Sequence, residues 1–270
     1  MDRLFLTPIE ISRTISEIGK RKATETVFEL FIFGILAGMY IAFGASAATA
    51  ILSGSHLDPG LSRFIAASVF TVGLMLVLIP GSELFTGNIL MTIGFIYKEY
   101  SLMKVLRNWF VVYIGNLIGA ILIAWLVLKS GLLTHSGDIT PVGETAVNIA
   151  QTKLGLSFVE AFSRGILCNM LVCLAVIMSI AARTITGKIF AIYFPIMTFV
   201  VSGYEHSVAN MYFLPAGLMV KGEFISDFLV MFNNLVPVTI GNIIGGLLIV
   251  FLHPKVEERI ARILMRKKHL

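Results

Sequence analysis

Two stretches with a similar order of polar residues, "SGYEHSVANM" at 202–211 and "GSELFTGN" at 81–88, decide the fold of this chain. Each interrupts a long apolar run and places a glutamate and an asparagine where the surrounding pattern calls for hydrocarbon. The later stretch also contains His206. Ionisable groups are costly inside a membrane and are usually functional there. We therefore expect the activity to lie at these two interruptions.

The composition places the chain among polytopic membrane proteins. It has 270 residues, of which 57% are hydrophobic and 14% charged. Soluble domains average about 45–50% apolar and about 25% charged residues. The net charge is +5, but the basic residues form no patch with interleaved aromatic residues. The expected surroundings are therefore the lipid bilayer, and nucleic acid is not expected as a partner.

Long apolar runs predict six membrane spans, because a helix needs about 20 residues to cross the hydrocarbon. In chain order these runs lie at about 27–51, 64–96, 109–128, 158–182, 188–220 and 233–252. The second and fifth runs are too long for one helix. Both contain one of the polar interruptions, which predicts that these two helices are broken.

The basic residues predict the orientation of the spans. Most of the 21 lysines and arginines lie before residue 26, in the loops after the second and fourth spans, or in the C-terminal tail. Cytoplasmic segments carry an excess of these residues. We therefore expect a multi-pass protein of the inner (cytoplasmic) membrane with both termini in the cytoplasm, the N-terminal segment being a polar lead-in.

The two halves of the chain resemble each other at three places in the same order. The matching pairs are "ELFIFGIL" (29–36) with "EAFSRGIL" (160–167), "GSELFTGN" (81–88) with "GYEHSVAN" (203–210), and "NWFVVYIGNLIG" (108–119) with "NLVPVTIGNIIG" (234–245). Three spans per copy is an odd number, so the copies at about 27–128 and 158–252 should be inverted. Inverted repeats with broken helices are typical of transporters. The predicted fold is one all-α membrane domain over residues 1–270.

A simpler interpretation is that Pro80–Gly81 and Ser202–Gly203 only kink two packed helices. It accounts for the glycines but not for the polar cluster that follows each of them. In the third matching pair we assign the glycines to close helix packing, which small residues permit. These glycines are Gly115, Gly119, Gly241, Gly245 and Gly246.

His206 is the only histidine within a predicted span. Histidine is neutral or charged near pH 7 and donates or accepts a hydrogen bond, so it suits a small anion or a proton. The hydroxyl of Thr86 lies in the other interruption and is a second candidate for contact with a permeant. Lys153, ahead of the fourth span, either draws anions towards a vestibule or is an ordinary solvated charge.

Glu83 and Glu205 occupy matching positions in the two interruptions. They are either proton-relay carboxylates or acceptors for backbone N–H groups freed at each break, and we favour the second, loop-fixing role. Asn88 and Asn210 suit caps for the half-helices that follow.

The sequence contains no recognisable catalytic set. It has no H-E-x-x-H and no phosphate-binding G-x-x-x-x-G-K-[ST] motif, and its two cysteines fit apolar packing. We predict no cofactor and no metal, and expect that the protein is not an enzyme. The alternative is a membrane-embedded enzyme or sensor that uses Glu83, Glu205 and His206 as acid–base groups.

The two interruptions, together with "GILCNMLVCLAV" (165–176) and "LVPVTIGNIIGG" (235–246), resemble the formate/nitrite transporter family over nearly the whole chain. The resemblance implies an aquaporin-like arrangement of six spans and a homopentamer with one pore per protomer. It also implies a formate, nitrite or hydrosulfide substrate. The choice of Ser82, Glu83 and Gly87 favours the nitrite and hydrosulfide members.

The resemblance further implies roles for individual residues. His206 would be the central pore histidine and Thr86 the threonine facing it, with Asn169 and Asn210 orienting the site and Lys153 in the vestibule. Two apolar constrictions would flank the histidine. The outer one would consist of Phe70, Leu84 and Phe199, and the inner one of Leu74, Phe85 and Val172.

The family mechanism agrees with the cost of burying charge. A bare anion is strongly disfavoured in a dry apolar constriction, whereas the neutral weak acid is not. Burial raises the pKa of an acid, so a proton supplied through water or His206 would let the neutral species cross. The rival mechanism is conduction of the anion past a charged His206, and the sequence leaves both open.

Overall fold

A computed structural model describes residues 5–55, 57–253 and 256, and nearly all regular structure in it is helical. The first half contains α1 (Pro8–Thr24), α2 (Val27–Leu52), α3 (Pro59–Phe70), α4 (Val72–Leu78), α5 (Phe85–Asn88), a 3-10 turn (Ile89–Met91), α6 (Thr92–Ile96) and α7 (Leu102–Lys129). The second half contains β1 (Thr134–His135), β2 (Asp138–Ile139), α8 (Pro141–Leu154), α9 (Phe158–Ala181), α10 (Ile185–Val201), α11 (Ser207–Val220), a 3-10 turn (Phe228–Met231) and α12 (Phe232–Phe251). The prediction of an all-helical chain is confirmed, and the antiparallel β1–β2 pair is a short addition to it.

The helices that match predicted spans are long and apolar. Within the described residues, five stretches are long and apolar enough to cross a membrane: Val27–Leu52, Pro59–Leu78, Leu102–Lys129, Phe158–Ala181 and Phe228–Phe251. Three shorter apolar helical stretches accompany them: Phe85–Ile96, Ile185–Val201 and Ser207–Val220. Most of the basic C-terminal tail used in the orientation argument lies outside the described residues.

Each interruption includes a non-helical segment between two helices, and we name these segments the first break (79–84) and the second break (202–206). Each contains a left-handed glycine near its start, Gly81 at φ +94° and Gly203 at φ +72°. The amide after each glycine donates back to the carbonyl five residues earlier at 3.0 Å. This is a common way to end a helix, and glycine adopts its conformation without steric cost.

Helix pairs pack closely where the repeated glycines lie. α2 packs against α7, and α9 packs against α12. A Cβ atom at Gly119 would collide with the carbonyl oxygen of Ile35, and one at Gly245 would collide with that of Ile166. The predicted packing role of these glycines follows from this geometry.

Polar and apolar side chains are distributed as in a membrane protein. Seven buried asparagines lie among the described helices: Asn88, Asn108, Asn116, Asn169, Asn210, Asn234 and Asn242. Large apolar side chains such as Phe28, Phe110 and Val159 are exposed on the outside. Buried amides need hydrogen-bond partners, and several of those partners lie at the breaks.

The N-terminal segment is more ordered than the predicted polar lead-in. α1 begins with a capping box in which Thr7 and Glu10 bond each other's backbone amides. Arg107 donates to the carbonyl oxygens of Ala23 and Glu25 at the end of α1, at 3.2 and 2.8 Å. These contacts hold α1 against the start of α7, next to the first break.

Candidate functional site

A charged cluster lies at the first break. The Glu83 carboxylate forms an ion pair with Lys22, with Nζ and Oε1 2.9 Å apart. Its other oxygen accepts a hydrogen bond from Asn88 Nδ2 at 2.7 Å and a longer one from Asn108 Nδ2 at 3.5 Å. Lys22 also donates to Asn88 Oδ1 at 2.6 Å. The result is one compact network built from α1, α5 and α7.

The second break carries the same cluster. Lys153 Nζ lies 2.9 and 3.0 Å from the two oxygens of Glu205. Asn210 Nδ2 donates to Glu205 at 2.6 Å and to Asn234 Oδ1 at 2.7 Å. Lys153 also lies 5.2 Å from the centre of the Phe213 ring. Lys22 and Lys153 therefore occupy matching positions, and the sequence analysis missed the role of Lys22.

These contacts correct the predicted roles of the carboxylates. We expected Glu83 and Glu205 to accept backbone N–H groups, but they bind lysines and asparagine amides instead. Both glutamate side chains are about 5% exposed and both lysines about 14%. A buried charge needs an opposite charge because water is excluded. Lys153 is therefore paired with Glu205 and is not an isolated solvated charge.

Two other asparagines hold the backbone of the breaks. Asn116 accepts the N–H of Phe85 at 3.0 Å and donates to the carbonyls of Gly34 and Glu83 at 2.7 and 2.9 Å. Asn242 forms the same three contacts, accepting the N–H of Ser207 at 2.9 Å and donating to the carbonyls of the matching residues at 2.8 and 3.0 Å. The sequence pattern did not reveal the role of either asparagine, although each stands inside the repeated I-G-N motif.

The caps also differ from the prediction. Asn88 is the last residue of α5 and Asn210 lies within α11, so neither is an N-cap. The N-cap of α11 is His206, whose Nδ1 accepts the N–H of Ala209 at 3.1 Å. Leu84 holds the equivalent position ahead of α5 and has no side-chain bond. The histidine therefore performs a backbone role that its counterpart cannot.

The two breaks meet through Thr86, two residues after the first break, and His206, the last residue of the second break, whose Oγ1 and Nε2 atoms are 2.8 Å apart. Because Nδ1 is an acceptor, the proton of a neutral His206 lies on Nε2. Nε2–H then donates to Thr86, and the threonine hydroxyl keeps its own proton for another acceptor. Thr86 is fully buried, so that acceptor has to come from inside the protein or from a permeant.

Asn169 positions this contact from the backbone side. Its Nδ2 donates to the carbonyl of Thr86 at 3.2 Å and to that of Asn242 at 2.7 Å. Its Oδ1 is buried and has no hydrogen-bond partner among the described residues. The thiol of Cys173, one turn later, lies 3.8 Å from the same Thr86 carbonyl. Beside Thr86 there are thus two groups still available for a hydrogen bond: the proton of the threonine hydroxyl and the Oδ1 acceptor of Asn169.

Apolar side chains surround the contact, and all six residues predicted to form constrictions are buried. The Phe199 ring stacks on the His206 ring, with centroids 5.8 Å apart and planes at 29°. Phe70 meets Phe199 edge-on, also at 5.8 Å. One predicted member of the outer constriction, Phe199, therefore lies on the histidine ring, and a second, Phe70, lies against Phe199.

The predicted inner constriction includes Phe85. Its ring packs edge-on against Tyr113 and Trp109 of α7, with centroid distances of 4.9 and 6.3 Å. Leu74, Phe85 and Val172 belong to the same buried apolar cluster as the outer residues. The site is therefore a polar contact enclosed by hydrocarbon.

A cavity of about 460 Å³ lies beneath the first break, and we name it the α1 mouth. It extends from α1 to the apolar residues around Leu84, and its charged lining residues are Arg21, Lys22, Glu25, Glu83 and Lys188. Burial, and then the neighbouring Glu83 carboxylate, raise the pKa of Glu25 above its usual range. We use the name α8 mouth for the matching region around Lys153 and Glu205 at the second break.

Comparison with known proteins gives a consistent result. A family model described as formate/nitrite transporter matches residues 9–255. A probable formate transporter of Methanothermobacter thermautotrophicus is 40% identical over 265 residues, covering 93% of this chain and 96% of the relative. A formate channel, FocA, of Haemophilus influenzae is 35% identical and covers 91% of this chain and 92% of the relative.

A solved structure described as a pentameric formate channel with formate bound is also similar. It superposes with a TM-score of 0.70 at 34% identity, covering 83% of this chain and 94% of that chain. The matching family and this structural neighbour are transporters and channels rather than enzymes.

Proposed function

Since this chain belongs to the formate/nitrite transporter family, we propose that it is a membrane pore for a small monovalent anion of a weak acid. The observation that carries the proposal is the 2.8 Å contact between Thr86 and His206, which joins the two breaks inside an apolar enclosure. A permeant that follows the breaks has to pass this contact. Ligand sites at paired helix breaks are typical of repeat-built transporters.

For the architecture we propose six spans in two inverted repeats, with the second and fifth spans broken, as in an aquaporin-like fold. The matched pairs Lys22–Glu83 and Lys153–Glu205 support it, as do the matched amides Asn116 and Asn242. We further propose a homopentamer in the inner membrane with both termini cytoplasmic. The pentameric formate channel to which the chain is similar supports that assembly.

The mechanism depends on whether the anion or its neutral acid enters the apolar enclosure at the lower cost in free energy. An anion loses its hydration there and is strongly disfavoured, so protonation near His206 converts it to the neutral acid that crosses. A second ring proton on His206 would have to replace the Ala209 N–H at Nδ1 and break the cap of α11. We therefore propose that His206 stays neutral, donates from Nε2, and receives a permeant whose proton came through water.

The lysine pairs give each mouth a donor without a large net charge. Lys153 is partly exposed and shares its ammonium with Glu205, so an arriving anion meets N–H donors beside a carboxylate. Such a pair orients an anion more than it concentrates it. We accordingly propose that Lys153 guides the anion, and that Glu83, Asn88 and Glu205 maintain the shape of the breaks.

For the substrate we propose formate first, because the relatives carry formate names. Nitrite and hydrosulfide, which the residues of the first break favour, are the other members to test. All three are small anions of weak acids, so the mechanism is the same for each.

The test is uptake into proteoliposomes of formate, nitrite and hydrosulfide at several pH values. The neutral-acid mechanism predicts uptake faster than into empty liposomes, rising as the pH falls towards the pKa of each acid. Equal uptake with and without protein, for all three anions, would show that the proposed function is wrong. Uptake that carries current and does not vary with pH would instead favour conduction of the bare anion.

A further inference from the structure

Lys188 at the α1 mouth has no role in the pore described so far. Three cations line that cavity in the described part of the chain: Arg21, Lys22 and Lys188. Lys22 is paired with Glu83 at 2.9 Å. Arg21 lies 3.7 Å from Glu25. Among the described residues, no carboxylate lies within 4 Å of Lys188, so its charge is not cancelled by an adjacent one.

The position of Lys188 adds to the local positive potential. It lies one turn into α10, whose N-cap is Thr184 and whose first helical residue is Ile185. The start of a helix carries a partial positive charge, which disfavours a cation there. A lysine in this place does not stabilise its own helix electrostatically. Its charge is instead available to the cavity that its side chain lines.

The opposite mouth has no matching cation at this position. The offset of 122 residues that relates Glu83 to Glu205 relates Ala66 to Lys188. Ala66 is buried and uncharged. The paired charges at the two breaks match, whereas at this position a cation is present on one side only.

Resting on the proposed function, we infer that Lys188 concentrates the anion at the α1 mouth. It lowers the anion concentration that half-saturates transport from that side and leaves the maximal rate set by the apolar constrictions. Neutralising it should raise the half-saturating concentration from the α1 side about two- to threefold at low ionic strength. The effect should disappear at about 0.5 M of an impermeant salt, because salt screens exposed charges.

The experiment attaches either a positive or a negative charge at position 188 of the same variant, reconstituted in proteoliposomes. Lys188→Cys is treated from outside with an impermeant methanethiosulfonate that carries either a quaternary ammonium or a sulfonate. Only molecules whose α1 mouth faces outwards react there, and Cys168 and Cys173 have no exposed surface. The half-saturating formate concentration for uptake should be about fivefold higher with the sulfonate than with the ammonium, and the maximal rates should agree.

Matched controls separate this inference from the proposed function. Lys104→Cys, exposed at the start of α7 and outside the cavity lining, should show no difference between the two reagents. Lys188→Arg should keep the native half-saturating concentration.

If the native protein transports formate but the two reagents give equal half-saturating concentrations, the inference about Lys188 is wrong and the proposed function is unaffected. If only the maximal rate changes, Lys188 is structural and the inference is again wrong. If the native protein transports none of the three anions, both the proposed function and the inference about Lys188 are wrong.

Discussion

The first and second breaks have matching frameworks but differ at one position. Each has a glycine cap, a lysine–glutamate pair and an asparagine that binds the backbone. The position before the second half-helix is Leu84 in one break and His206 in the other. The repeated residues therefore build the breaks, whereas the residue that differs is the one that we propose to contact the permeant.

The largest effect should follow from removing the backbone-binding amides. Asn116→Ala and Asn242→Ala each leave one buried N–H and one buried carbonyl at the break without partners, whereas the carbonyl of Gly34 or Gly165 keeps its helical bond. Unsatisfied buried groups cost about 1–3 kcal/mol each. We expect each variant to lose about 4 kcal/mol of stability, measured as a lower thermal midpoint in detergent.

The exposed Asn148→Ala should melt like the native protein. Because both amides bind matching groups, the two losses should also be similar. A large loss in one variant and none in the other would show that the two frameworks are not equivalent.

A somewhat smaller effect should follow from breaking the charge pairs. Glu83→Gln and Glu205→Gln each leave a mostly buried lysine unpaired, which we expect to cost about 2–3 kcal/mol, below the range for fully buried pairs. The double variants Lys22→Met/Glu83→Gln and Lys153→Met/Glu205→Gln should lose less than the sum of their single changes. Additive losses would mean that the lysine and the glutamate act independently.

The smallest effect concerns Glu25, which lies beside only the first break. Its raised pKa means that the folded protein disfavours the carboxylate, so this residue costs stability above its folded pKa and ceases to do so as the pH falls below its unfolded value. Glu25→Gln should raise the thermal midpoint by roughly 1 °C near pH 8 and have no effect near pH 4. The exposed Glu17→Gln is the control, and an equal shift at both pH values would contradict the assignment.

The two breaks and the close packing of the helices could be predicted from the sequence, because membrane constraints act on short patterns. Glycines and charged residues inside apolar runs indicated the breaks. The spacing of the glycines in the third motif indicated the close helix packing. The family resemblance brought Thr86 and His206 to one site, and the structure places them 2.8 Å apart.

The partners of the breaks could not be predicted in the same way, because they lie far away in sequence. Lys22 counted only as one of several cytoplasmic charges, although it precedes a Thr–x–x–Glu cap just as Lys153 precedes a Ser–x–x–Glu cap. Asn116 was noticed as part of a motif, but only its distant backbone contacts reveal what it binds. His206 as an N-cap depends on the orientation of one ring, which no pattern encodes.

The central claim is that the permeant passes the contact between Thr86 and His206, and formate uptake by two isosteric variants tests it most directly. Thr86→Val removes the hydroxyl that faces His206. Thr145→Val removes an exposed hydroxyl of α8 that bonds the carbonyl of Pro141, at 2.9 Å. We predict that Thr86→Val lowers the rate of formate uptake about tenfold, the factor that corresponds to about 1.4 kcal/mol, while Thr145→Val transports like the native protein. Equal rates for native protein and both variants would contradict the claim.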